Sequence, residues 1–165
     1  MIPTRLLAAI AAAVALGACA AHKTTIQTRE GNATVTTSQD DKSVTVRTSQ
    51  GTTSIGQGVD TSRLGAPLYP GAQASQPASI TTATDTGTST LANFTTSDAF
   101  DKVYRYYKDR LPPAAEKMKV VSANGSVASF QVSDPSIRDV VSVQVSSDKP
   151  NETSILITRT QELPH

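Results

Sequence analysis

The sequence predicts an α+β fold: an antiparallel sheet with one helix packed on one face, in the order β-β-α-β-β-β-β, preceded by a small polar β-meander. Three observations predict it. Phe100, Val103, Tyr104, Tyr107 and Leu111 recur at i, i+3, i+4, i+7 and i+11, which makes one apolar helical face. Beyond that window, β-branched runs alternate with turn residues at short intervals, and strands joined by short turns pair antiparallel. Ahead of it, isolated Val and Ile residues are set among threonines, a pattern of short, weakly apolar strands.

In chain order, the first element is an address rather than a fold element. Arg5 precedes an unbroken apolar run, Leu6 to Leu16, closed by Leu16-Gly17-Ala18-Cys19. Positive start, apolar core and small-residue ending form a secretory signal. The run falls short of the roughly 20 residues that a stable membrane span needs. Ala18-Cys19-Ala20 also fits the A-x-A preference of the ordinary signal peptidase, so cleavage after Ala20 is the competing reading.

The LGAC ending resembles the lipobox of bacterial lipoproteins, with the sole cysteine of the chain at the lipidated position and leucine three residues before it. The resemblance implies that the Cys19 thiol is joined to diacylglycerol, the chain is cut before it, and the new amine is acylated. Each buried methylene contributes about 0.8 kcal/mol, so several long acyl chains anchor where one does not. Ala20, in place of a retaining aspartate, implies the outer membrane, facing the periplasm. The expected organisation is residues 1–18 signal, 19–63 tether and polar β region, and 64–161 α+β domain. With no second cysteine there is no disulfide, so the exported domain stands on its core alone.

Removal of the signal leaves about 147 residues, enough for one domain with an appendage. The full chain carries 15 basic and 14 acidic residues, a net charge of +1, with no basic block. That excludes nucleic acid as an expected partner, because such binding rests on clustered Lys and Arg.

The polar region holds Ile26, Val35, Val44, Val46 and Ile55, separated by turn signals at 30–32, 39–42 and 49–51. It reads as strands near 24–29, 33–38, 43–48 and 52–56. So few apolar residues bury little, and the segment is expected to pack on the main domain or act as a spacer.

Leu64-Gly65-Ala66-Pro67-Leu68-Tyr69-Pro70-Gly71-Ala72 reads as a rigid lead-in, with Leu68 and Tyr69 inserted at the edge of the core. A hairpin follows over 79–84 and 88–95. The helix is expected from about Ser97 to Leu111, capped by Thr96 or Ser97, with Asp98 in its first turn. Asp98–Lys102, Asp101–Arg105 and Arg105–Asp109 are spaced to pair on the wet face. Pro112 and Pro113 end it. Strands at 117–122 and 127–132 flank Asn124-Gly125, a hairpin signal; 138–146 and 154–160 complete the sheet.

Residues 44–111 resemble uncharacterised exported bacterial proteins that share an "LG-P-YPGA" turn and a "T-D-kV-YY" helix start. Gly65, Pro67, Tyr69, Pro70, Gly71 and Ala72 match the turn; Asp98, Val103, Tyr106 and Tyr107 match the helix. The resemblance implies a domain and its boundaries, and no activity.

A nucleophile needs a base, and His22 and His165 lie near the two ends, away from any expected cleft. No His/Cys cluster suggests zinc, and Gly56-Gln57-Gly58 is a lone G-x-G, so no metal, cofactor or catalytic residue is expected. Asp40-Asp41 reads as a turn. Asp98, Glu116, Asp134 and Asp139 are the carboxylates from which a hydrolytic pair would have to form, although carboxylates at turns and helix starts are usually caps. Tyr106 lies off the apolar helix face. It reads as a rim residue with its hydroxyl in water, or, with Tyr69 and Arg105, as the lining of a groove for a peptide or glycan. The leading expectation is a non-enzymatic lipoprotein that meets the membrane through its lipid and binds an envelope protein or polymer. The alternative is an envelope hydrolase using a carboxylate pair.

Overall fold

The computed structural model describes residues 22–28, 31–38, 42–149 and 151–163. Cys19, the whole signal, the Asp40-Asp41 turn and His165 lie outside the described residues.

The fold is α+β: an antiparallel sheet with one helix packed on it. The polar meander expected ahead of the domain is continuous with that sheet, which has ten strands. They are β1 (His22–Thr28), β2 (Gly31–Thr37), β3 (Ser43–Thr48), β4 (Gly51–Gly56), β5 (Gln73–Ala83), β6 (Gly87–Thr96), β7 (Glu116–Ser122), β8 (Gly125–Asp134), β9 (Asp139–Lys149) and β10 (Glu152–Glu162). Their order is β1-β2-β3-β4-β5-β6-β10-β9-β8-β7. The helix α1 (Phe100–Arg110) connects β6 to the far edge and crosses β10, β9 and β8.

Register explains why α1 covers that half. Across the sheet, Ala92, Ile157, Val143 and Phe130 stand in one row, and Phe94, Ile155, Val145 and Ala128 in the next. Both rows face the helix, which buries Phe100, Val103, Tyr104 and Tyr107 against them. Every buried core member comes from the stretch between Leu64 and Ile157.

The first four strands use the other face. Val44, Ile55, Ile80 and Leu91 form a continuous row whose neighbours on β10 and β9 are Thr158 and Ser142. Because side chains alternate across a strand, this row points away from α1. Ile55 is 38 % exposed there. The dominant apolar face of the sheet therefore switches sides near β5, where the register with β6 shifts between Ala74 and Ser79.

Two glycines in the lead-in are required. Gly71 has φ 82°, and Ala72 N–H donates to Tyr69 C=O at 3.1 Å, a type II turn with Pro70 and Gly71 at its centre. Gly65 has φ 70°, and a Cβ there would come within 2.8 Å of Val141. The preceding segment is stapled to the sheet by Arg159, which forks onto Asp139 (Nη2 to Oδ2 2.6 Å) and donates through Nη1 to the Arg63 carbonyl at 3.0 Å.

Candidate binding cleft

The type II turn points Tyr69 inward, leaving it 4 % exposed. Its hydroxyl donates to Asp98 Oδ2 at 2.6 Å, and Lys102 Nζ reaches both oxygens of the same carboxylate at 2.9 Å. Asp98 sits just before α1 rather than in its first turn. The N-cap is Ala99, without a side-chain cap. Thr96 Oγ1 instead accepts from Asp98 N–H, and Thr153 Oγ1 donates to Asp98 C=O at 2.7 Å. A local bond from Thr96 and a tertiary one from Thr153 therefore hold the residue before the helix, in place of a side-chain cap by Thr96 or Ser97 on the helix itself.

One helical turn beyond Lys102 is Tyr106, and one turn further is Arg110. Tyr106 packs edge-on to Tyr69, centroids 5.1 Å apart, and its hydroxyl donates to the Leu68 carbonyl at 2.7 Å. That corrects the expectation of a hydroxyl in water. The guanidinium carbon of Arg110 lies 4.1 Å from the centre of the Tyr106 ring. Tyr69, Pro70, Asp98, Lys102, Tyr106 and Arg110 line a cleft of about 290 Å³.

The groove forecast from the sequence thus brings Tyr69 and Tyr106 together, but Arg105 is exposed and takes no part in lining it. Arg105 is Tyr106's neighbour in sequence and lies about 100° round the helix. Arg110, at i+4 from Tyr106, shares its stripe. The same spacing rule, applied to Tyr106 instead of to the core face, identifies both Lys102 and Arg110. Of the three forecast ion pairs, only Asp98–Lys102 appears among the described residues; Asp101 pairs instead with Lys119 at 3.5 Å.

The electrostatics follow the contacts. The hydrogen bond from Tyr69, and then Lys102, hold the Asp98 carboxyl below the usual aspartate range. Burial, and then the bond to Asp98, push the Tyr69 hydroxyl up. Its bond to Asp98 raises Lys102. Lys102 and Asp98 neutralise each other, whereas Arg110 has no carboxylate within ion-pair distance among the described residues. The cleft is an aromatic slot with one uncompensated, pre-oriented cation. It can hold an anion; its one hydroxyl–carboxylate pair, Tyr69–Asp98, is tied up by Lys102, with the hydroxyl's pKa raised and the carboxyl's lowered.

The other carboxylates singled out are committed elsewhere. Glu116 accepts from the Tyr104 hydroxyl at 2.9 Å and pairs with Lys108, which keeps its pKa low. Asp134 caps its own turn through Ser136 and is likewise lowered. Asp139 is held by Arg159. None of Asp98, Glu116 and Asp134 shows the raised pKa that a general acid needs. Among the described residues no group of three His, Cys, Asp or Glu is placed to hold a metal ion.

A larger opening, about 440 Å³, lies between the Gly71–Gln73 turn and Asn151–Glu152. It is lined by hydroxyls and amides with a single charge and no aromatic ring, so it lacks the apolar surface that dominates ligand sites. The smaller cleft is the better candidate. Against protein-family models, curated proteins and solved structures alike, the chain finds no match, so the functional reading stands on the cleft's own geometry.

Proposed function

We propose that the chain is an outer-membrane lipoprotein, anchored through lipid on Cys19 and facing the periplasm, whose α+β head is a non-enzymatic binding module for an envelope protein or polymer. The anchor rests on the Leu16-Gly17-Ala18-Cys19 ending of the apolar run. The binding role rests on one observation, the slot where Arg110 lies over Tyr106 beside Tyr69 with no carboxylate partner among the described residues. The first four strands serve in this reading as a spacer between anchor and head.

Two measurements test it. A fatty-acid probe fed to cells labels the wild-type chain and not Cys19→Ala, which appears in the soluble periplasmic fraction; equal labelling of both removes the anchor. Cross-linking in intact cells, followed by purification of the chain, yields a defined envelope adduct. Absence of any adduct from the wild type removes the binding role.

A further inference from the structure

We propose that the Tyr69–Tyr106–Arg110 cleft receives the free carboxylate end of a short peptide. This rests on the binding-module reading and assigns its ligand chemistry.

Arg110 carries the argument. A guanidinium stacked on a ring spends its face on the ring and keeps its in-plane N–H donors for a bidentate partner. Of the other cations of α1 and β7, Lys102 has Asp98, Lys108 has Glu116 and Lys119 has Asp101, whereas Arg105 and Lys117 have no carboxylate among the described residues but do not line the cleft. Arg110 lies over the Tyr106 ring in the cleft and has no carboxylate beside it among the described residues.

The rest of the cleft orders the ligand. Lys102 and Arg110 are eight residues apart on one helix, on the order of 12 Å along its axis. That matches roughly three extended peptide residues. At the far end the Asp98–Lys102 pair is already neutralised and leaves no unpaired cation for a second carboxylate, which favours the acid end at Arg110. Pro70 and the edge of Tyr69 form the wall between, suited to a small apolar side chain.

Competing chemistries fit less well. A neutral sugar stacks on an open aromatic face, but Arg110 covers Tyr106 and Tyr69 is almost wholly buried. A phosphate dianion calls for more than one free cation, and Lys102 is already bound to Asp98.

The test uses the full chain purified in detergent, titrated by NMR with N-acetyl-alanyl-alanine, its C-terminal amide and inorganic phosphate. The acid is expected to bind saturably and shift resonances of Tyr106 and Arg110, with the amide and phosphate at least about ten-fold weaker. Arg110→Gln is expected to lose about ten-fold or more, Arg110→Lys to lose part of that, and Arg105→Gln to bind as the wild type does. Thermal melts confirm that each variant is folded. Equal binding of acid and amide, tighter binding of phosphate, no saturable binding, or equal losses in Arg105→Gln and Arg110→Gln each overturn the assignment. A cellular adduct that persists undiminished in Arg110→Gln overturns the carboxylate ligand while leaving the binding module standing. Loss of the adduct in that variant supports both.

Discussion

Tyr107 is fully buried at the centre of the core, yet its hydroxyl makes no hydrogen bond among the described residues. The Tyr69 main chain is a polar neighbour, at a geometry short of a hydrogen bond, and burial pushes the hydroxyl well above the ordinary tyrosine range. A buried, unsatisfied hydroxyl carries a desolvation cost of about 1–3 kcal/mol. Tyr107→Phe keeps the ring and removes that cost, so it is expected to raise the melting temperature by a few degrees. Tyr107→Ala removes the ring from between Tyr106 and Phe130 and is expected to cost about 3–5 kcal/mol. Tyr106→Ala, losing one hydrogen bond and the Arg110 stack at the rim, costs less. Melts of the three variants rank them; a damaging Tyr107→Phe shows that the hydroxyl has a partner. Asp98 supplies a second test. Its folded pKa is depressed, so its contribution to stability is present above its unfolded pKa of about 4 and is lost as pH falls through the lower folded value. Asp98→Asn is therefore expected to flatten the fall in melting temperature below about pH 4. Glu116 and Asp134, also lowered, keep part of that fall. An unchanged pH profile in Asp98→Asn would show that its bonds to Tyr69 and Lys102 contribute nothing.

At the scale of elements, α1 is clamped from both sides. On one side stands the tyrosine turn. On the other, β7 presents Glu116 and Lys119 to the same face despite their odd spacing, because its register with β8 shifts between Glu116 and Met118. Lys119 Nζ lies 3.8 Å from the centre of the Tyr104 ring, and Glu116 takes the hydroxyl. The helix was legible in the sequence because one stripe of large apolar residues recurs at 3.6 spacing. Its start was not, because Thr153, 55 residues away, holds the Asp98 carbonyl, and Thr96 bonds Asp98 N–H ahead of the helix instead of capping its first turn. The strands were legible from period-two runs and turn residues. Their union into one sheet was not, since one or two valines per strand announce an amphipathic face without saying which side of a neighbour it joins. The same limit hid Arg110, which matters through its place on a stripe rather than through a motif. All buried core members lie from Leu64 onward, with Val59 packed against them. A chain beginning at Gln57 is therefore expected to unfold cooperatively, a few degrees below the full chain. A non-cooperative melt would mean that β4 pairing along β5 is indispensable to the head. The stapled lead-in is more fragile. Asp139→Ala leaves a largely covered guanidinium without its carboxylate, and a loss of about 2 kcal/mol or more is expected in chemical unfolding.

For the molecule as a whole, the sheet order and the proposed anchor together set an orientation. Cys19 precedes β1 by only three positions, a reach on the order of 10 Å even when extended. A lipid on that residue holds the β1 edge at the bilayer surface. Ten strands at about 4.8 Å spacing extend roughly 43 Å to the β7 edge, less whatever the sheet twist takes up. The helix lies over β8, β9 and β10, beyond the first six strands in the sheet order. The head and its cleft are then carried into the periplasm by a paired sheet instead of a flexible tether, which fixes height and direction at once. Cys19 is the sole cysteine, so fluorophores can be placed one at a time at Thr24→Cys on β1 and Val120→Cys on β7. In vesicles doped with a headgroup quencher, the label at position 24 is expected to be strongly quenched and that at position 120 little affected. A twenty-residue Gly-Ser insertion after Ala20 is expected to reduce quenching at position 24 and bring the two sites closer together, because the flexible segment releases the edge from the surface. Equal quenching at both sites without the insertion would mean that the sheet lies flat on the membrane, and the upright arrangement would be wrong.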